Sequence, residues 1–261
     1  MSNFQFKSNK ITTALLLAAG TGSRLLPLTN YAPKCLTDVC GVSILERLTL
    51  CLRDNGFKRL IVVVGHKDYC IREFLGNSIN GITVDYVVNP DYRTTNNIYS
   101  LWLAREIIQE AFLLIESDLV FDASLLKDML YPDCIAVSRI LPWMSGTTVT
   151  ISRSRHLMAF NERQNKVHGA FNYKTVNIYS LSLPTWKLVE ERLKHHISAG
   201  HVNEYYETVF AEMIAEGILS FKPVFFNAKR WYEIDTLRDL RAADLIFPEN
   251  HQLLTHEAES I

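Results

Sequence analysis

An apolar run at 12–17 breaks into two glycines, Gly20 and Gly22, followed at short intervals by Arg24, Pro27, Pro33 and Lys34. A run of that length and composition reads as a buried parallel strand. A strand opening into a glycine-rich turn aims several backbone N–H groups at one point, which suits a phosphate chain. Arg24 and Lys34 supply two cations that a bare glycine turn lacks. The spacing excludes two other phosphate loops. A dinucleotide fingerprint needs a third glycine where Leu25 stands, and a Walker A loop needs a lysine directly after its last glycine. The element therefore reads as a holder for a nucleoside triphosphate.

Beyond the loop, predicted helices at 43–55, 67–75 and 98–110 alternate with predicted strands at 59–64, 83–89 and 111–116. That alternation is the pattern of an α/β, doubly wound, mainly parallel sheet with helices on both faces. Ligands of such sheets sit beyond the carboxyl ends of the strands, where Gly20, Gly65, Asn89 and Asp118 fall. After Pro132 the rhythm shortens. Strands are predicted at 134–139, 147–153, 157–160, 174–179, 220–226 and 231–235, and helices at 184–198, 201–216 and 237–245. No repeat or low-complexity stretch interrupts them. One domain at 1–248 accounts for the pattern, with 249–261 a polar tail or the start of a linker.

The bulk properties narrow the partners. A formal net charge of −1 over 261 residues gives no electrostatic case for nucleic acid. No run approaches the ~18 apolar residues of a membrane span, and the polar N-terminus lacks a signal peptide's apolar core. The expected compartment is the cytoplasm. Five scattered cysteines without C-x-x-C pairs fit reduced thiols rather than zinc or disulfides. Cys35, beside Lys34, is either a reactive thiol or a small buried residue.

The string Gly20-x-Gly22-x-Arg24-x-x-Pro27-x-Thr29-x-x-x-Pro33-Lys34 resembles the signature of the sugar-phosphate nucleotidylyltransferase family. The resemblance implies a Rossmann-like sheet of the nucleotide-diphospho-sugar transferase type. Leu17, Ala19, Gly20, Thr21 and Gly22 would then cradle the nucleotide. Arg24 would contact the leaving β- and γ-phosphates, and Lys34 the α-phosphate and the acceptor. Asp118, in the segment Ile115-Glu116-Ser117-Asp118, matches the family's metal-binding aspartate. Tyr232-Glu233-Ile234-Asp235-Thr236 resembles its late Y-E-I-D-[ST] element, so Asp235 matches the second metal carboxylate. Mg²⁺ is the implied cofactor, a hard cation suited to carboxylate and phosphate oxygens. Both aspartates are also ordinary helix-capping residues.

Base reading is expected near Asn89, where relatives carry a glutamine-proline pair, and at Asn97 and Ser100 on the following helix. An amide suits a pyrimidine edge, although the same residues are normal turn and N-cap chemistry. The Asn96-Asn97-x-Tyr99-Ser100-Leu101 element narrows the resemblance to the cytidylyltransferases for 2-aminoethylphosphonate and phosphocholine. CTP and a small phosphonate or phosphate are thus the implied substrates. Aminoethylphosphonate is the first choice, phosphocholine the second and a sugar 1-phosphate the third. Lys174 could pair with the acceptor's phosphorus oxygens, or be a solvated lysine at a strand start.

Glu204-Tyr205-Tyr206-Glu207 is read as one helix carrying acids and aromatics, so Glu204 and Tyr205 are candidates for the ammonium end, and Glu233, on the strand face of Asp235, is a further substrate-binding candidate. Packing of Tyr205 and Val209 inward is the plainer alternative. Trp143 and Trp186 are candidate walls of an aromatic cage or simple core residues. Members of the phosphonate branch can be fused to an aminotransferase, and the sequence leaves the oligomeric state open. A non-catalytic nucleotide-sensing subunit would be expected to lose Arg24, Lys34 or the acids, and all are present.

Overall fold

The computed structural model describes residues 10–142, 144–161, 170–227 and 230–247. In chain order its strands are β1 (Thr13–Ala18), β2 (Asp38–Val39), β3 (Val42–Ser43), β4 (Arg59–Val64), β5 (Ser78–Ile79), β6 (Ile82–Val88), β7 (Phe112–Glu116), β8 (Leu119–Phe121), β9 (Cys134–Arg139), β10 (Thr148–Ser152), β11 (Leu157–Asn161), β12 (Ala170–Leu181), β13 (Lys222–Phe225) and β14 (Trp231–Glu233). The α-helices are α1 (Ile44–Asp54), α2 (Asp68–Leu75), α3 (Asn97–Leu103), α4 (Leu183–Ser198), α5 (Tyr206–Ala215) and α6 (Leu237–Ile246).

β1 is buried along its whole length because parallel neighbours, β4 and β7, flank it on both edges. The main sheet runs β11–β10–β12–β7–β1–β4–β6–β5, with β9 beside β12 and β13 beside β9. The chain leaves β1 toward β4 and β6, then returns to the other edge of β1 as β7. That reversal is a topological switch point, and a crevice opens there at the carboxyl ends of the strands.

Alternation along the strands fixes the two faces. Leu16, Val62 and Leu113 pack against α1 and α2 through Leu48, Leu52, Ile71 and Leu75. Leu15, Ile61 and Leu114 pack against Leu101 of α3, Trp186 and Val189 of α4, and Phe210 of α5. A third, smaller cluster joins Leu25 of the glycine loop to Val120 of β8, Tyr232 and Ile234 at β14, and Ala243 of α6. It clamps the loop to the late part of the chain.

Several predicted boundaries move. The helix expected at 98–110 ends at Leu103 and continues as a 3-10 turn, Ala104–Glu106, because Arg105 folds back over Trp102 and donates to its carbonyl. The helix expected at 201–216 begins only at Tyr206. The carbonyls of Val202 and Glu204 are taken by the N–H groups of Asn96 and Ile98, which holds 201–205 as a loop. The strand expected at 174–179 is longer, Ala170–Leu181. Between the stretch that pairs β10 and the stretch that pairs β7, its register against β9 shifts and Asn177 adopts φ 57°. β8, paired with β14, was not foreseen at all. Cys35 is buried and its thiol is pushed up to about 12 by burial, so the reactive-thiol reading falls. Trp186 lies in the core edge-on to Phe112 and walls no cage. Trp143 and 249–261 lie outside the described residues.

Candidate active site

The crevice is a cleft of about 540 Å³ between the glycine loop and the second half of the chain. Gly22 enters it in the left-handed conformation, φ 62°, and a Cβ there would stand 3.0 Å from both the Lys34 Cβ and the Thr29 Cγ2. Glycine is required for the loop to close on Lys34. Gly20 differs. It has no left-handed backbone and no atom within 4 Å of an added Cβ, so the fold itself makes no demand for glycine there.

Lys34 is the hub. Its Nζ donates to Asp118 Oδ2 at 2.9 Å and to Asp235 Oδ1 at 2.7 Å, and Arg24 reaches the same Asp235 oxygen at 2.7 Å. Burial works against the lysine charge, but the two carboxylates outweigh it and hold its pKa above the ordinary value. The aspartates meet because the backbone joins them: the Ile234 N–H donates to the Asp118 carbonyl. A capping box at the start of α6, Thr236 with Asp239, then fixes Asp235, whose own N–H donates to Asp239.

Asp118 Oδ1 is buried without a partner. A spare hard oxygen beside a second carboxylate fits Mg²⁺, with phosphate oxygens and waters completing the shell. Among the described residues no group of three or more histidines, cysteines or acids forms a cage of its own. An ion here would therefore depend on the substrate for much of its coordination.

The opposite end of the cleft is acidic. Lys174 is buried, donates to the Thr175 carbonyl at 2.9 Å, and pairs with Glu233 Oε2 at 3.2 Å. Asn177 donates to the other Glu233 oxygen at 3.3 Å. Glu116, Glu207 and Glu233 all face this region, and all three carboxyls are raised, chiefly by burial and then by one another or by the aspartates. Glu207 is pushed up to about 7.

The expected base-reading amides are otherwise engaged. Asn89 is buried; its Nδ2 donates to Thr95 and Ser100, and its Oδ1 accepts from the Asp91 N–H. That amide staples its own loop, with both donors spent and one acceptor position in use. Asn97 donates to Glu116 and accepts from the Tyr206 N–H, tying α3 to β7 and α5. Ser100 keeps its hydroxyl proton, and Tyr92, Thr95 and Asn96 join it along that wall. Leu17, Ala19, Gly20 and Gly22 line the cleft, whereas Thr21 is exposed outside the lining.

At the acceptor end, Lys174, Glu233 and Tyr205 line the cleft. Glu204 does not. Its carboxylate is held by His201 at 2.7 Å and His196 at 3.2 Å, away from the cleft, because the 201–205 loop replaces the expected helical turn. Sequence reasoning named Glu207 in the acidic and aromatic segment but selected Glu204 and Tyr205 from it, and gave Asn177 no role. Glu207 shares α5 with a second acid, Glu212, and no local pattern tells the two apart; Asn177 owes its place to a bulge that no pattern signals.

Residues 13–132 match the Nucleotidyl transferase family. Those residues, a little under half of the chain, are similar to a nucleotidyl transferase domain. Over 249 residues it is 33% identical to the CMP-5'-(3-aminopropyl)phosphonate synthase of Streptomyces rubellomurinus, covering 90% of this chain but only 38% of that longer protein. It is 28% identical over 237 residues to the 2-aminoethylphosphonate cytidylyltransferase of Lancefieldella rimae, covering 89% of this chain and 92% of the relative. Among solved structures, the inositol-1-phosphate CTP transferase from T. maritima superposes with a TM-score of 0.74 at 23% identity, covering 92% of this chain and 96% of that one. The CTP:phosphocholine cytidylyltransferase of Streptococcus pneumoniae gives 0.74 at 21%, covering 91% and 99%. At those identities the two structures speak for the fold. The nucleotidyltransferase fold thus accounts for the sheet order, and its switch point holds the Lys34 cluster.

Proposed function

We propose that this nucleotidyltransferase domain transfers CMP from CTP to an aminoalkylphosphonate, with 2-aminoethylphosphonate as the first acceptor, giving CMP-2-aminoethylphosphonate and pyrophosphate. The observation that carries this reading is the pairing of two ends in one cleft. One end holds Lys34 and Arg24 against Asp118 and Asp235. The other holds a buried lysine among one buried glutamate, Glu207, and two half-buried ones, Glu116 and Glu233. A zwitterion fits between them. The similarity to two proteins named for aminoalkylphosphonates supports the same acceptor.

A phosphonate oxygen attacks the α-phosphorus of CTP while the bond to the β-phosphate oxygen breaks in line. The acceptor arrives as an oxyanion and pyrophosphate departs as one, so charge balances without a general base. The protein's task is to neutralise and align. Lys34 would give up its carboxylate partners for the α-phosphate and the attacking oxygen. Arg24, on an exposed side chain, would follow the leaving phosphates. Asp118 and Asp235, freed of the lysine, are the residues that would hold Mg²⁺, which supplies further neutralisation of the triphosphate. Lys174 would steady the acceptor's phosphorus oxygens, and Gly20 leaves room for the phosphate chain. Retention of every one of these charges favours an enzyme over a nucleotide-sensing subunit.

Pyrophosphate release with CTP and Mg²⁺ tests the reading directly. Turnover is expected with aminoethylphosphonate or its aminopropyl homologue and should exceed that with phosphocholine or glucose 1-phosphate. Turnover with phosphocholine alone would replace the acceptor, and Lys34→Ala with undiminished turnover would remove the mechanism.

A further inference from the structure

We infer that Glu207 receives the ammonium group of the acceptor and makes the site select a primary amine. The inference rests on the aminoalkylphosphonate reading above and names the residue that would decide it. Glu207 is the second residue of α5, is 8% exposed, and lines the cleft. Its Oε2 is buried with no hydrogen-bond partner. Among the described residues the cation that acts on it, Lys174, is already engaged, shared between Glu233 and the Thr175 carbonyl. A buried carboxylate oxygen is costly to leave without a partner, so the free Oε2 at the cleft points to a cationic donor that arrives with the ligand.

The surroundings specify what kind of cation. A quaternary ammonium carries no N–H and is held by aromatic faces. Here the tryptophan nearest in sequence, Trp186, is buried in the core, and Tyr205 at the rim is 60% exposed. The Tyr179 and Tyr206 rings meet edge to face inside the core. A primary ammonium has three N–H donors, and this end of the cleft offers carboxylate oxygens from Glu207 and Glu233 to receive them. Burial raises the Glu207 carboxyl to about 7, although its own backbone N–H, the Lys174 charge and the Asn97 amide pull the other way. With the oxyanion facing Lys34 and Lys174, and the ammonium at Glu207, the cleft fits a short aminoalkylphosphonate lengthwise.

The test is calorimetric binding of 2-aminoethylphosphonate, ethylphosphonate and phosphocholine to the full chain and to Glu207→Gln and Glu207→Asp. Each is measured with and without a non-hydrolysable CTP analogue, alongside pyrophosphate release. Glu207→Gln should weaken aminoethylphosphonate about tenfold or more, as expected for a lost charge-assisted hydrogen bond. Ethylphosphonate, which lacks the amine, should bind both proteins within about twofold, which also reports an intact pocket. Glu207→Asp, with the charge kept, should fall between. Equal binding of aminoethylphosphonate by the wild type and Glu207→Gln would overturn the inference. So would a wild type that binds none of it, or that binds ethylphosphonate or phosphocholine equally well. Glu207-dependent binding without nucleotidyl transfer would instead leave the subsite standing and sink the proposed reaction.

Discussion

The two ends of the cleft handle charge in opposite ways. At the glycine-loop end each cation sits on a carboxylate: Lys34 bridges Asp118 and Asp235, Arg24 joins Asp235, and only Asp118 Oδ1 among these atoms is left over. At the other end the acids outnumber the cations. Lys174 serves Glu233, while Glu207 keeps an oxygen with no partner. The first end can exchange partners without creating a buried net charge, which suits a site that takes up a triphosphate and a metal together. The second end is left electrostatically incomplete until a cation arrives. A closed network and an open one thus sit in one cavity.

The largest expected effect breaks the closed network. Lys34→Ala should lower kcat/KM by about 10²–10³, the scale for losing one group that stabilises transition-state charge, with circular dichroism unchanged. Asp118→Asn should cost about tenfold or more and raise the Mg²⁺ concentration needed for half-maximal turnover, read from a metal titration. An unaltered Mg²⁺ dependence would remove Asp118 from the metal site.

The open end makes a prediction about stability. The Glu207 carboxyl rises from 4.5 to about 7 on folding, so between those values the unliganded native state keeps a proton that the unfolded chain has released. Its stabilising contribution is complete below 4.5 and is lost as pH climbs to about 7. Glu207→Gln should remove that loss. Its Tm should match the wild type near pH 4.5 and exceed it by about 3 °C or more at pH 8, measured calorimetrically without ligand. The variant would then be the more stable protein and the poorer binder of the amine.

The smallest functional effect is expected at Asn89. Because its amide is spent on Thr95, Ser100 and Asp91, Asn89→Ala should cost about 1–3 kcal/mol in chemical denaturation. The preference for CTP over UTP should stay as it was. A switch in base preference would restore Asn89 as a reader of the base.

The sequence made the closed end legible because its parts lie on elements with strong local signals. β1 and β7 are continuous apolar runs, so the loop after one and the aspartate after the other could be placed at strand ends. The Tyr232-to-Thr236 string marked Asp235. The open end was harder. Glu204 and Glu207 are three residues apart and look alike in sequence, yet the loop at 201–205 hands Glu204 to His196 and His201 and leaves Glu207 in the cleft. Asn89 and Asn97 looked free to read a base, and the partners that already engage them within the fold were not visible in the sequence.

What the sequence determined by itself was the sheet's parallel heart, the phosphate loop and the identity of its charged residues, because burial of consecutive apolar residues and the geometry of glycine act locally. What only the tertiary structure decided was which acid faces which cation. That depends on the clamp between Leu25, Val120, Tyr232 and Ala243, and on the bulge at Asn177. Both bring together residues far apart in the chain, and no local pattern reports the energy of contacts that form only after the sheet has closed.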